Sequence, residues 1–278
     1  MNAIELKGLT KTYKTFQLGP IDLTLPMGTI MGLVGENGAG KSTTLKAILD
    51  LVKPSAGEIT LMGQSIPDAY PALKEEIGVV LDALPFPGYL NARELGNCMA
   101  AAFQNWDSEV YAGYLARLNL PEGQKIKEYS RGMTMKLALA AALSHHAKLL
   151  ILDEATSGLD PMVRQEILDI LYDFCDEDHA ILISSHIVSD LEKICDYIAF
   201  LHEGKLLLVD EKDKLLEQYG LLKCSEEQLD ELAEGTVLSS RVYNYGAEAL
   251  VRRDLVPAGL TVDRITLEEL IVALARRD

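Results

Sequence analysis

A glycine-rich segment between an apolar run and a helical pattern constrains this chain most strongly. The segment reads Gly-Glu-Asn-Gly-Ala-Gly-Lys-Ser-Thr over residues 35–43. It follows the apolar run 29–34, which predicts a buried strand, and it leads into residues 44–49, which predict a helix. In such a context the glycines let successive backbone N–H groups turn inward, and the helix adds the positive end of its dipole. The segment is therefore predicted to cradle phosphate groups.

Several residues of this loop are candidate ligands of a nucleotide because they lie in the phosphate cradle or at the start of the helix. They are Gly35, Asn37, Gly38, Gly40, Lys41, Ser42 and Thr43. Lys41 is expected to reach the β- and γ-phosphates, and the Ser42 hydroxyl is expected to ligate Mg²⁺. An ordinary glycine-rich turn is the alternative, and the flanking strand and helix patterns argue against it.

A second motif is an apolar run that ends in two carboxylates. Residues 149–152 read Leu-Leu-Ile-Leu, and Asp153 and Glu154 follow. Asp153 is predicted to hold Mg²⁺ through its water shell. Glu154 is one residue further on and points elsewhere, so it is predicted to orient or deprotonate an attacking water. The alternative is a strand followed by a solvated acidic turn.

The order of the patterns predicts an α/β fold. Residues 1–210 are interpreted as a P-loop NTPase core with N-terminal antiparallel strands and a parallel central sheet, interrupted at about 85–146 by a helical insert. Residues 211–278 are interpreted as a small C-terminal α+β appendage. Its last helix is predicted to begin at a capping box formed by Thr266 and Glu269.

Charge and composition exclude several classes of partner. The 278-residue chain has a net charge of −16, which argues against nucleic acid and against anionic lipid as binding partners.

The four cysteines of the chain are far apart and form no CxxC pair, which argues against a disulfide framework or a metal site. No stretch approaches the roughly 18 apolar residues of a membrane-spanning helix. If the protein serves a membrane process, another chain is therefore expected to supply the membrane-spanning part.

Four further segments, in the correct order with the two motifs above, resemble the ATP-binding subunits of ABC transporters. They are Tyr13 at the place of the adenine-stacking aromatic, residues 129–133 (Tyr-Ser-Arg-Gly-Met) at the signature, residues 157–160 (Ser-Gly-Leu-Asp) at the D-loop, and His186 at the switch histidine. The resemblance implies that Ser130, Arg131, Gly132 and Asp160 serve the nucleotide, and that His186 takes part in catalysis. Asp160 is also suited to cap a helix, since Pro161 follows it.

Two departures from the family pattern involve charged residues. Arg131 replaces the first glycine of the signature, and Asp82 stands where the family has its Q-loop glutamine. Asp82 is a candidate Mg²⁺ ligand, or else a solvated residue at the end of a strand. Arg131 is predicted either to reach across a dimer to the γ-phosphate or to turn outward and pair with a carboxylate such as Glu128. These departures and the chain length resemble the branch that contains ABC-2 exporters and YtrB-like proteins.

The resemblance implies an ATPase that uses ATP and Mg²⁺ and closes as a dimer, either with itself or with a related ATPase subunit. It further implies an integral membrane subunit encoded separately, and a location at the cytoplasmic face of the bacterial plasma membrane. Two alternatives stay open at this point. One is a regulatory cassette that binds ATP with little hydrolysis, and the other is a soluble ABC ATPase with no role in transport.

Overall fold

The computed structural model describes residues 1–82 and 86–275. Its strands are β1 (Asn2–Thr12), β2 (Gln17–Pro26), β3 (Ile30–Val34), β4 (Ala56–Leu61), β5 (Gln64–Ser65), β6 (Ile77–Val80), β7 (Leu149–Asp153), β8 (Ala180–Ser185), β9 (Tyr197–His202), β10 (Lys205–Glu211), β11 (Tyr219–Cys224), β12 (Val237–Tyr243), β13 (Gly246–Arg252) and β14 (Val262–Asp263). Its helices are α1 (Lys41–Ile48), α2 (Tyr70–Leu73), α3 (Ala92–Ala102), α4 (Ser108–Arg117), α5 (Arg131–Leu143), α6 (Pro161–Phe174), α7 (Val188–Ile194), α8 (Lys212–Gln218), α9 (Glu226–Asp230) and α10 (Leu267–Ala275).

The central sheet has the strand order β10-β9-β3-β8-β7-β6. Strands β9, β3, β8, β7 and β6 run parallel, and β10 pairs antiparallel with β9. Every residue of β3, β7 and β8 is buried, as expected for parallel strands that are covered on both faces. Because the carboxyl ends of parallel strands meet at one edge, the segments that follow β3, β6, β7 and β8 converge there. The predicted parallel core is confirmed.

A second sheet lies against the core on the N-terminal side. Its order is β2-β1-β4-β5, and its pairs are antiparallel. From Ile21 to Leu25 the buried hydrophobic residues of β2 alternate with the exposed Asp22 and Thr24, so the strand buries one face and presents the other to solvent. The buried side chains of β1, β2 and β4 pack with those of α1 in one apolar cluster. The predicted N-terminal antiparallel strands are therefore present.

The helical insert consists of α3, α4 and α5. Asn91 and Glu94 form a capping box at the start of α3, and the Asp107 side chain caps α4. Helix α5 is rich in alanine and leucine and is buried along residues 137–143, where it packs against β6. The insert was predicted to begin at about Pro85, which lies outside the described residues.

The C-terminal region is more regular than its charged sequence indicated. Strands β12, β13, β11 and β14 form an antiparallel sheet in that order. The predicted capping box is present, with the Glu269 amide donating to Thr266 Oγ1 (3.2 Å) and the Thr266 amide donating to Glu269 Oε2 (2.8 Å). Helix α10 packs on α7, and its buried Leu267, Leu270 and Ile271 belong to the main apolar core. The helix therefore covers the chain's own core.

Candidate nucleotide-binding site

The glycine loop is shaped by close backbone packing. A Cβ atom at Gly35 would clash with the carbonyl oxygen of Leu201 in β9, and one at Gly40 would lie 2.5 Å from the Leu18 side chain. Gly40 also has a φ of 112°, in the left-handed region that favours glycine, and it directly precedes α1. The neighbouring strands therefore require glycine at both positions, and the loop turns sharply into the first turn of α1.

Lys41 lies at the centre of the loop with only 6% of its side chain exposed. Its Nζ donates to the Gly35 carbonyl at 2.7 Å and lies 3.1 Å from Glu154 Oε1. A buried ammonium group is costly unless it is paired, and here two oxygen partners hold it. The structure thus brings the loop lysine together with the carboxylate that follows β7.

Asp153 is the last residue of β7 and is 6% exposed. The Ser184 hydroxyl on the neighbouring strand β8 donates to Asp153 Oδ1 at 2.6 Å. Ser184 is fully buried, and its own Oγ accepts from the Glu154 amide at 3.2 Å. The serine therefore fixes both acidic residues from one position, a role that the sequence analysis missed.

Glu154 has a φ of 53°, which is unusual for a residue with a side chain. Such strain is typical of functional sites, where surrounding contacts hold the backbone in place. Its two carboxylate oxygens have different partners: Oε1 faces Lys41, and Oε2 lies 2.6 Å from His186 Nδ1. His186 follows β8 directly. The structure therefore brings together Lys41, Glu154 and His186, which follow three different strands of the central sheet.

Lys41, Asp153 and Glu154 line an open pocket of about 580 Å³, whereas His186 is not among the residues that line it. Its lining residues are Phe16, Glu36, Asn37, Gly38, Gly40, Lys41, Ser42, Thr43, Asp82, Asp153 and Glu154. Phe16 was not singled out in the sequence, although it follows Tyr13 by three residues in the same turn. Tyr13 does not line this pocket and is 43% exposed. Its predicted stacking on adenine stays a prediction.

The signature and D-loop residues lie outside the pocket of their own chain. The Ser130 hydroxyl caps α5 by accepting from the Met133 amide at 3.2 Å. Asp160 caps α6 in the same way, accepting from the amides of Met162 and Val163 at 3.1 Å each. Gly132 lies against α6, where an added Cβ would approach the Val163 side chain. Neither capping residue is among those that line the pocket.

The oxygen ligands of the pocket fit Mg²⁺. The Ser42 hydroxyl and the carboxylates of Asp82 and Asp153 all line it, and hard oxygen atoms are the ligands that Mg²⁺ prefers. Within the described residues no cluster of three or more histidine, cysteine or acidic side chains could hold a metal ion. Mg²⁺ usually keeps several waters and takes its remaining ligands from the phosphates, so it needs few ligands from the protein.

A family model described as ABC transporter matches residues 18–157, which contain every residue of the pocket except Phe16. The chain belongs to this family. The ABC transporter ATP-binding protein YhcH of Bacillus subtilis, which is uncharacterised, is 34% identical over 269 residues, 92% of this chain and 86% of the relative. The bacitracin transport ATP-binding protein BcrA of Bacillus licheniformis is 30% identical over 96% of this chain and 93% of its own length.

A third relative is the ABC transporter ATP-binding protein YtrB of Bacillus subtilis, 32% identical over 78% of this chain and 74% of its own length. The solved structure of an ATP-binding subunit of an ABC transporter superposes with a TM-score of 0.71 at 26% identity, covering 78% of this chain and 92% of that one. A dimeric ATP-binding cassette with bound ADP and phosphate has the same fold, with a TM-score of 0.68 at 22% identity, covering 75% and 98%. The chain is therefore an ATP-binding subunit of the ABC transporter type and an ATPase.

Proposed function

We propose that this ABC subunit hydrolyses ATP to drive an exporter whose membrane-spanning part is a separate chain. The observation that carries the proposal is the cluster of Lys41, Glu154 and His186 at the mouth of the phosphate loop. A regulatory cassette with little hydrolysis would not need a carboxylate held in a strained backbone conformation beside the phosphate site. The cluster therefore favours a working ATPase over that alternative.

Each residue of the cluster has a distinct role in the proposed reaction. The loop amides and Lys41 bind the β- and γ-phosphates. Glu154 takes a proton from the attacking water, and His186 holds the Glu154 carboxylate in place through the 2.6 Å contact with Oε2. Ser42, Asp153 and Asp82 are the residues that would hold Mg²⁺. When bound, Mg²⁺ neutralises the charge that develops on the phosphate oxygens.

The active unit is proposed to be a dimer. The N-terminus of α5, which the Ser130 side chain caps, does not line the pocket of its own chain. A second chain, either another copy or a related ATPase subunit, would place its own α5 terminus over the γ-phosphate and complete the site. Two such sites in one two-fold interface make the arrangement isologous.

An apolar groove beside the insert supports a separate membrane partner. It has a volume of about 530 Å³ and is bounded by β6, α3 and α5, with Phe86, Tyr89 and Met99 among its lining residues. Tyr89 is 70% exposed, and a contiguous apolar surface of this kind is typical of a site that binds another protein. In the described residues no helix is long and apolar enough to cross a bilayer. We assign the groove to the membrane subunit at the cytoplasmic face.

Two relatives are named after the compounds that they transport. They are the bacitracin transport protein BcrA and the lantibiotic transport protein SrtF of Streptococcus pyogenes, which is 33% identical over 84% of this chain. The net charge of −16 makes a soluble ABC ATPase that acts on nucleic acid the less favoured alternative. We therefore propose that the compound carried by this ABC-2 type exporter is peptide-like, in keeping with the names of both relatives.

The dimer is tested with Glu154→Gln, which should keep ATP bound without hydrolysis. Light scattering during size-exclusion chromatography should give the mass of a monomer with ADP and the mass of a dimer with ATP. ADP is the matched control because it lacks the γ-phosphate that the second α5 terminus would contact. An ATP-bound form with the mass of a monomer would contradict a homodimer.

A further inference from the structure

Arg131 and Asp82 form an ion pair within one chain. The Arg131 Nη2 donates to Asp82 Oδ1 at 2.6 Å, although the two residues are 49 positions apart in sequence. Asp82 follows β6 of the central sheet, and Arg131 is the first residue of α5 in the helical insert. The pair therefore joins the two parts of the ATPase domain. Glu128, the alternative partner considered above, does not take part in it.

The guanidinium group of Arg131 also lies over the D-loop. A Cβ atom at Gly158 would come within 3.4 Å of Arg131 Cζ and Nε, and Gly158 has a φ of 67°. A glycine at this point lets the planar group approach the backbone closely. Arg131 thus contacts the turn that leads from Glu154 to the cap of α6, so its orientation is fixed by two segments of its own chain.

Contacts on either side of Arg131 hold the start of α5 in place. Ser130 caps the first turn of α5, and Gly132 packs against Val163 on α6. These contacts hold the start of α5 on both sides of Arg131. Asp82, in turn, lines the phosphate pocket together with Ser42 and Asp153. One carboxylate therefore belongs both to the ion pair and to the candidate Mg²⁺ shell.

The pair contributes little to folding stability. The side chains of Arg131 and Asp82 are 52% and 54% exposed, and ion pairs this exposed to solvent contribute little to stability. Its effect is instead local, because a fixed positive charge at 2.6 Å competes with any second cation for the same carboxylate. A divalent ion that approaches Asp82 must displace the guanidinium group or share the carboxylate with it.

We infer that Arg131 acts on its own chain as a positioning residue that occupies Asp82 and weakens the hold of the pocket on Mg²⁺. This inference rests on the proposed function, since it requires Mg²⁺ to bind with the nucleotide beside Asp82. It differs from a contact of Arg131 with the γ-phosphate across a dimer. The effect on Mg²⁺ requires neither a γ-phosphate nor a second chain, so it is present with ADP alone.

The test measures the dissociation constant of a fluorescent ADP with excess Mg²⁺ and with a chelator. The dissociation constant with the chelator, divided by the dissociation constant with Mg²⁺, gives a ratio that reports how strongly Mg²⁺ and ADP support each other's binding to the protein. Arg131→Ala should raise the ratio roughly 1.4- to 5-fold over the parent, the range of a half-exposed ion pair. Asp82→Asn should lower it, because the neutral amide is a weaker ligand.

The double variant separates the ion pair from a general effect of charge. When Asp82 is already Asn, Arg131→Ala should change the ratio by less than the single substitution does. Lys127→Ala is the matched control: it removes an exposed positive charge four residues away that forms no ion pair with a described residue, and it should leave the ratio unchanged.

Three results would overturn the inference: an unchanged or lower ratio in Arg131→Ala, an equal effect of that substitution in both Asp82 backgrounds, or an equal rise in Lys127→Ala. A loss of ATP binding in Arg131→Ala at an unchanged ADP ratio would instead support the contact across the dimer. Failure of the parent protein to bind ADP at all would overturn the proposed function itself. The two failures are therefore distinguishable.

Discussion

Ser184 determines the geometry of both acidic residues in the pocket. It donates to the buried Asp153 carboxylate at 2.6 Å and accepts from the Glu154 amide. Ser184→Ala should lower the free energy of unfolding by about 1.5–3 kcal/mol, the range for a hydrogen bond to a charged group. Urea denaturation measures the change, with the exposed Ser65→Ala as a control that should stay near the parent. Equal stability of Ser184→Ala and the control would contradict this role.

The residues of the site differ in how far the sequence could predict them. Lys41, Ser42, Asp153 and Glu154 lie in two continuous motifs, so local pattern and spacing were sufficient to identify them. The partners of these residues come from elsewhere in the chain. Phe16, the Ser184 hydrogen bonds and the ion pair between Asp82 and Arg131 depend on which strands become neighbours, and a single sequence does not contain that information.

At the scale of elements, His145 connects the end of α5 to the sheet. It is buried, it stacks on Phe103 with the ring centroids 4.2 Å apart, and its Nε2 lies 3.2 Å from the Ile77 carbonyl oxygen. Burial lowers the pKa of His145 below its ordinary value of 6.5. The folded chain therefore holds this histidine neutral at a pH where the unfolded chain has already bound a proton.

This histidine should make folding stability depend on pH. Between the lowered pKa and about 6.5 the unfolded state binds more protons, so stability falls as the pH decreases through that range. The denaturation midpoint of the parent should fall further between pH 7.5 and pH 5.5 than the midpoint of His145→Gln does. An equal loss in both proteins would contradict the assignment.

Elements with strong local signals were predicted well. The insert is helical as predicted, and the capping box predicted at Thr266 and Glu269 is present. The individual strands of residues 219–263 were not located, because β12 has no buried residue and β13 buries three consecutive residues, so neither shows the regular alternation that marks a strand. The proposed boundary at 211 stays a prediction: β10 ends there, but α10 shares the core of the ATPase domain.

For the whole molecule, α10 links the C-terminal region to the core beside α7. Leu270 is fully buried there, so Leu270→Ala should lower the free energy of unfolding by about 2–5 kcal/mol. Val272→Ala on the same helix is the matched control and should cost less, because Val272 is 39% exposed. The affinity for ATP should stay at the parental value, since the pocket lies within residues 16–154. Weaker ATP binding by folded Leu270→Ala would contradict this separation.

The central claim is that Glu154 activates water in a working ATPase. Steady-state ATP turnover by Glu154→Gln tests it most directly, with the exposed Glu177→Gln as the control. We expect a loss of turnover of roughly 10²- to 10⁴-fold for Glu154→Gln with ATP binding retained, and parental turnover for the control. Turnover close to that of the parent in Glu154→Gln would contradict the assignment of this residue and the mechanism built on it.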